Sequence, residues 1–287
     1  MAFRSILIAG AGTMGRGIAE LVALAGFEVQ LWDHFPSQLG RASAAIEKAL
    51  RKQKAIGRIS ENQFNLTLER IRLISDLKIA HSKTDLVIES VVEDMEIKKS
   101  LFSEIERHIP NAWFISHTSS LSIEGLASGL KRPERLIGMH FFNPAPVMPL
   151  VEIVYSIRTD KAWVQNAVKL AEHDLGKQTI VVRDSPGFAS SRLGTSIALE
   201  AMRMVEDRVA SIEDIDKAME FGYRHPMGPL RQSDWIGLDV RLKVAQVLYR
   251  ELKSEAFKPP RLLEEMVAQG KLGKKSGEGF YKWPKES

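Results

Sequence analysis

The chain has 287 residues, 44% of them hydrophobic and 26% charged, a composition that fits a folded globular protein and excludes a disordered or fibrous one. The formal charge of +4, from 40 Lys and Arg against 36 Asp and Glu, is too mild to argue for nucleic acid but is compatible with a phosphate-bearing small molecule. Cysteine is absent, which removes disulfides, thiolate nucleophiles and cysteine-based metal sites.

The N-terminal "MAFRSILIAGAG" passes from one Arg straight into a short apolar run and a glycine loop, with no room for a charged leader and a cleavage site. No apolar run is long enough for a membrane helix. A cytoplasmic protein is therefore expected.

In chain order, the first half alternates short β-branched runs with longer helical patterns: "SILIAG", "EVQLWD", "DLVIES", "WFISHT", "RLIGMHF", "VEIVY" and "TIVVR" are the expected strands. This order predicts a mostly parallel sheet covered by helices, an α/β Rossmann-like nucleotide-binding domain. Between "EVQLWD" and "DLVIES" lies a long stretch rich in Lys, Arg and Glu, read as a helical insertion of two helices. After "TIVVR", the residues Asp184-Ser185-Pro186-Gly187 are turn chemistry and the β-branched runs stop. The boundary is set there, giving a nucleotide-binding domain over 1–184 and an all-α C-terminal domain over 185–287.

In that second domain Leu193, Ile197, Ala201, Met204 and Val205 recur at helical spacing, as do Leu238, Leu242, Ala245, Leu248 and Tyr249. Ser211 with Asp214 resembles a capping box. One apolar stripe can face the domain's own core and the other a partner subunit, so a homodimer is expected, with a fully internal core as the alternative.

The first strand runs into "GAGTMGRG", where Gly10, Gly12 and Gly15 fall in a GxGxxG spacing between a strand and a helix. Gly10 suits the tight turn, Gly12 lets the backbone approach a pyrophosphate, and Gly15 lets the helix pack on the sheet. Thr13 and Met14 lie in the same loop, where the helix N-terminus offers N–H groups to an anion. Asp33 ends the next strand, where a carboxylate accepts from ribose hydroxyls and repels a 2′-phosphate, favouring NAD over NADP. On the loop alone, FAD stays open. None of the seven His falls at ligand spacing with another, so no metal is expected.

With "GAGTMGRGIAE", "VVEDMEIKKSLFSEI", "SHTSSLSI", "MHFFNPAPVMPLVEIV", "DSPGF" and "GKKSGEGFY" in order, the sequence resembles the 3-hydroxyacyl-CoA dehydrogenases over Phe3 to Lys282. It is most similar to the short, single-function 3-hydroxybutyryl-CoA dehydrogenases. The resemblance implies reversible NAD-dependent oxidation of an L-3-hydroxyacyl-CoA to the 3-ketoacyl-CoA, with a helical domain that pairs subunits and binds substrate. It puts His140 at the position of the base, Glu152 at that of its carboxylate partner and Ser119 at a serine touching substrate and cofactor. Glu93, Lys98, Asn143 and Lys275 match cofactor-contacting positions.

The chemistry suits these residue types. An imidazole titrates near neutrality and so can take the hydroxyl proton as hydride leaves the β-carbon, while a carboxylate on its far nitrogen fixes the tautomer. Glu152 follows His140 within the next strand pattern, so the two are expected to meet across neighbouring strands. Lys48, Arg51 and Lys52 share a helix face suited to CoA phosphates or simply to solvent, and Ala49 and Ile56 stand where the family has CoA-contacting Ser and Lys.

Two departures bear on the site: His117 replaces the family's Asn in "SNTSS", and Ser191 replaces the Asn of "PGFxxNR", with Ser190 as a possible substitute. The resemblance brings in the acyl-CoA substrate as partner, with no nucleic acid or membrane. The competing readings are a β-hydroxyacid dehydrogenase acting on a free acid and a non-catalytic NAD-binding relative.

Overall fold

The structure is a computed structural model that describes residues 3–80 and 83–284. It divides into two compact units, Met1–Ser185 and Pro186–Ser287.

The first unit carries eight strands: β1 (Ser5–Ala9), β2 (Glu28–Trp32), β3 (Ile71–Ile74), β4 (Leu86–Glu89), β5 (Trp113–Ser116), β6 (Leu136–Phe141), β7 (Leu150–Tyr155) and β8 (Gln178–Arg183). They form one sheet in the order β3-β2-β1-β4-β5-β6-β7-β8. Strands β1, β4 and β6 are buried almost throughout, which is why they read as unbroken apolar runs. Helices α1 (Thr13–Leu24), α2 (Pro36–Ala55), α3 (Glu61–Glu69), α4 (Met95–His108), α5 (Ile123–Ala127) and α6 (Lys161–Lys169) connect them.

Strands β1 to β6 run parallel, but β7 is antiparallel to β6 and β8 is parallel to β7. The reason is length: residues 142–149 are too few for the crossover a parallel return requires. Strand β3 falls in the charged stretch expected to be helical throughout. It is a four-residue edge strand with Arg72 and Leu73 exposed, so it shows no apolar run. The expected helix pair is present as α2 and α3, and it forms an enlarged crossover that carries the chain from β2 out to β3.

Helices α1 and α2 trap a carboxyl group between them. Glu20 is 5% exposed and accepts a hydrogen bond from Gln53 Nε2 at 2.6 Å. Burial pushes its pKa up to about 7 against that bond. The folded state thus holds this proton more tightly than the unfolded chain. Its stabilising contribution is complete below the unfolded value of 4.5 and is lost as pH rises through about 7. Glu20→Gln keeps the acceptor and removes the titration. The variant is expected to match the parent at pH 4 and to exceed it by about 3 kcal/mol at pH 8, which denaturant melts across that range will check.

The second unit is built from α7 (Ser190–Glu206), α8 (Ile212–Gly222), α9 (Pro229–Ile236), α10 (Leu238–Leu252) and α11 (Arg261–Ala268). Ser211 caps α8 by accepting from Asp214 N–H at 3.1 Å. The apolar stripes divide. Ala201, Leu238, Ala245 and Leu248 enter the core with Leu199 and Met202, whereas Leu193 stays 65% exposed and Ile197 37%. A buried acid organises the end of the "GKKSGEGFY" motif: Asp234 accepts from the Phe280 and Tyr281 N–H groups and the Trp283 indole, each at 2.9 Å. Among the described residues, no helix is long and apolar enough to cross a membrane.

Candidate active site

The strand order reverses direction between β1 and β4, and a cavity of about 1190 Å³ opens at the C-terminal ends of the strands around that point. Ligands bind at this topological position in open α/β sheets.

The glycine loop forms one wall. Gly10 has φ +111°, and a Cβ there would lie 2.4 Å from the Ser90 carbonyl oxygen. At Gly15 a Cβ would come within 1.8 Å of the Gly10 carbonyl oxygen, so this glycine serves helix packing and does not line the cavity. Gly12 has nothing within 4 Å of a Cβ position, which leaves room for a ligand to reach the backbone. It is also the N-cap of α1 without a side-chain cap, so the first N–H groups of the helix are available to a phosphate. Thr13 and Met14 line the cavity next to it.

Asp33 directly follows β2 on the same wall and accepts from the Ala11 N–H at 2.7 Å and the Phe35 N–H at 2.9 Å. It ties the glycine loop to β2 and keeps lone pairs for ribose hydroxyls. An open glycine, an uncapped helix start and an acid just after the next strand fit NAD, and among the described residues the cavity lining includes no Lys or Arg for a 2′-phosphate.

The opposite wall comes from β4, β5 and β6. In the β6–β7 register His140 lies directly across from Glu152, and His140 Nδ1 is 2.7 Å from Glu152 Oε2. Glu152 is completely buried and His140 is 8% exposed at the cavity wall. The carboxylate accepts a hydrogen bond from Nδ1–H and so keeps the proton on that nitrogen, which leaves Nε2 as the proton-accepting nitrogen. Phe142 packs on the His140 ring at a centroid distance of 4.6 Å. Asn143 lies on the cavity just beyond β6 and begins a cis peptide bond to Pro144.

Glu93 lies on the cavity and holds the loop that carries Ser119. Its Oε1 accepts from the Thr118 hydroxyl at 2.7 Å, the Ser119 N–H at 2.9 Å and hydroxyl at 3.3 Å, and the Ser120 N–H at 3.1 Å and hydroxyl at 3.0 Å. Burial alone would push its pKa up, but the Lys98 charge and these bonds outweigh burial, and the net direction is down.

Lys98, expected at the cofactor, does not line the cavity. It is wholly buried, paired with Glu89 and 3.3 Å from Glu93 Oε2. Glu89, missed by sequence reading, also accepts from Ser116 at 2.7 Å. The available signal was an acid closing an otherwise apolar strand. Lys177 was also missed: its ammonium donates to the Ala145 and Met148 carbonyls at 2.7 and 2.9 Å, pinning the loop that follows His140.

Ser191 and Lys275 belong to the second unit. Ser191 sits half-buried in the first turn of α7, and Lys275 pairs with Asp239 in the first turn of α10. On α2, Arg51 pairs with Glu47 and lies over Phe64. Among the described residues no group of three or more His, Asp or Glu has an arrangement that could hold a metal ion.

The profile of the 3-hydroxyacyl-CoA dehydrogenase NAD-binding domain matches residues 5–185, and that of the family's C-terminal domain matches 187–283. The 3-hydroxybutyryl-CoA dehydrogenase of Mycobacterium tuberculosis is 41% identical over 282 residues, covering 98% of each chain. A probable 3-hydroxybutyryl-CoA dehydrogenase of Bacillus subtilis is 38% identical over the whole of both. The crystal structure of an (S)-3-hydroxybutyryl-CoA dehydrogenase from Ralstonia eutropha superposes with a TM-score of 0.95 at 37% identity, over 99% of this chain and 100% of that one. The chain belongs to the 3-hydroxyacyl-CoA dehydrogenase family and is an NAD-dependent oxidoreductase.

Proposed function

We propose that the chain reversibly oxidises a short L-3-hydroxyacyl-CoA, with 3-hydroxybutyryl-CoA as the first candidate, and that His140 is the base. The observation that carries this reading is the His140–Glu152 pair, an imidazole on the cavity wall with a buried carboxylate on its far nitrogen. His140 Nε2 takes the hydroxyl proton as the carbonyl forms, and Glu152 stabilises the resulting imidazolium. NAD, when bound, supplies the acceptor for the hydride leaving the β-carbon. The Ser119 hydroxyl turns from Glu93 to donate to the developing ketone oxygen, while Glu93 keeps hold of the loop through the Ser119 and Ser120 N–H groups.

Asn143 and Lys275 are proposed to contact the cofactor. Ser191 is proposed to meet substrate with a single hydroxyl where the family has an amide. Exposed Leu193 and Ile197 on α7 and Val240 on α10 support pairing of two copies through the helical unit. A cytoplasmic location completes the proposal.

The test is loss of NADH absorbance with acetoacetyl-CoA, run beside oxidation of free 3-hydroxybutyrate. Turnover of the thioester with none of the free acid is expected. Turnover of the free acid alone would favour a free-acid dehydrogenase, and NADH binding without turnover of either would favour a non-catalytic relative.

A further inference from the structure

The β5–β6 ladder ends at Ser116 and Gly138, two residues short of the base. Beyond that point the side chain of His117 takes over. Its Nδ1 lies 3.2 Å from the Phe141 amide nitrogen, with the N–H directed at it, so the ring accepts from the peptide immediately after His140. The Met139 carbonyl oxygen is 3.4 Å from the same nitrogen, and one Nδ1 cannot both accept and donate in the neutral ring. The contact with Phe141 is the shorter, and its backbone N–H can only donate, which assigns Nδ1 as acceptor and leaves the proton on Nε2. The two imidazoles stack at 29° with centroids 5.9 Å apart.

We propose that His117 is a positioning residue for the base: its ring replaces a missing strand acceptor and clasps β6 at His140, the two histidines being held in opposite tautomers. On its other edge β6 is held by β7 through the His140–Glu152 register, so the base's backbone is gripped from both sides. Protonating His117 would turn Nδ1 against the Phe141 N–H. Burial pushes its pKa down to about 4, with further lowering by His140 and Lys98 and opposition from the Met139 carbonyl and Glu93, so the acceptor persists at neutral pH. An Asn amide oxygen can accept the same N–H, whereas a Phe ring keeps the stacking and loses the acceptor.

The inference rests on the reading of His140 as base, and its test has one arm that needs no turnover. Long-range nitrogen–proton spectra of the full chain with 15N-labelled histidine are expected to show a bare Nδ1 and protonated Nε2 at His117, and the reverse at His140. A proton on His117 Nδ1 overturns the clasp, whether or not any variant folds. In kinetics with acetoacetyl-CoA, His117→Phe is expected to lower kcat about tenfold with NADH affinity within about twofold, and His117→Asn to recover to within about threefold of the parent. Parental kcat in His117→Phe, or equal impairment of both variants, also overturns it. A parent that binds NADH but turns over no thioester defeats the functional reading instead, and the tautomers then decide the clasp alone.

Discussion

His140→Gln is expected to lower kcat for acetoacetyl-CoA reduction about a thousandfold, within the range that a positioned general acid–base contributes. Glutamine is similar in reach and can hydrogen-bond Glu152, so β6 and β7 keep their register and the cavity its shape. It cannot exchange a proton near neutral pH. NADH affinity is therefore expected to stay within about threefold and the melting temperature to move little, since one polar contact replaces another. Stopped-flow turnover beside NADH fluorescence titration separates the effects. Parental kcat in a variant that binds NADH would return His140 to the role of a buried strand residue. Glu152→Gln is expected to fall less steeply, because the base remains while its tautomer is no longer enforced.

His140 and Glu152 were legible through the "MHFFNPAPVMPLVEIV" string that carries the resemblance, since an apolar strand pattern on its own marks the first as a core residue and the second as a solvated strand-end charge. The connection between them, residues 142–149, is too short for a parallel crossover, so the antiparallel turn follows from chain length, which the expectation of a mostly parallel sheet passed over. The glycine loop was legible for a related reason. Gly10, Gly12 and Gly15 do three different steric jobs at fixed spacing, and only the middle one leaves space for a ligand. Strand β3 was hidden because a short edge strand buries too little to impose a pattern. The interiors of charged stretches were hidden too: "VEDMEIKK" contains a lysine with no exposed surface and a glutamate that orders three residues of a distant loop, yet its composition is that of a solvated helix start. Burial of a charge depends on where its partners arrive, and Glu89 arrives from a different element.

Lys98→Met is expected to cost the protein about 3–5 kcal/mol, the loss typical of removing one partner from a buried ion pair. The substitution fills nearly the same volume, so the loss is electrostatic. Burial already pushes the Glu89 carboxyl up despite Lys98, and without the ammonium that carboxyl faces the interior uncompensated. The variant's Glu89 will take up a proton on folding. With its folded pKa raised further above the unfolded value, the stability it retains is present at low pH and is lost as pH rises through the folded pKa. The deficit against the parent should therefore be larger at pH 8 than at pH 5.

Glu89→Gln placed on top of Lys98→Met removes the stranded charge and should recover part of the loss, a coupling that a double-mutant cycle measures directly. The site should respond as well. Glu93 loses the charge that draws its carboxyl down and with it part of the hold on Ser119, so NADH affinity and kcat should both weaken although Lys98 touches neither. Equal deficits at pH 5 and pH 8, with no recovery in the double variant, would mean that Lys98 serves only to fill space between α4 and β4.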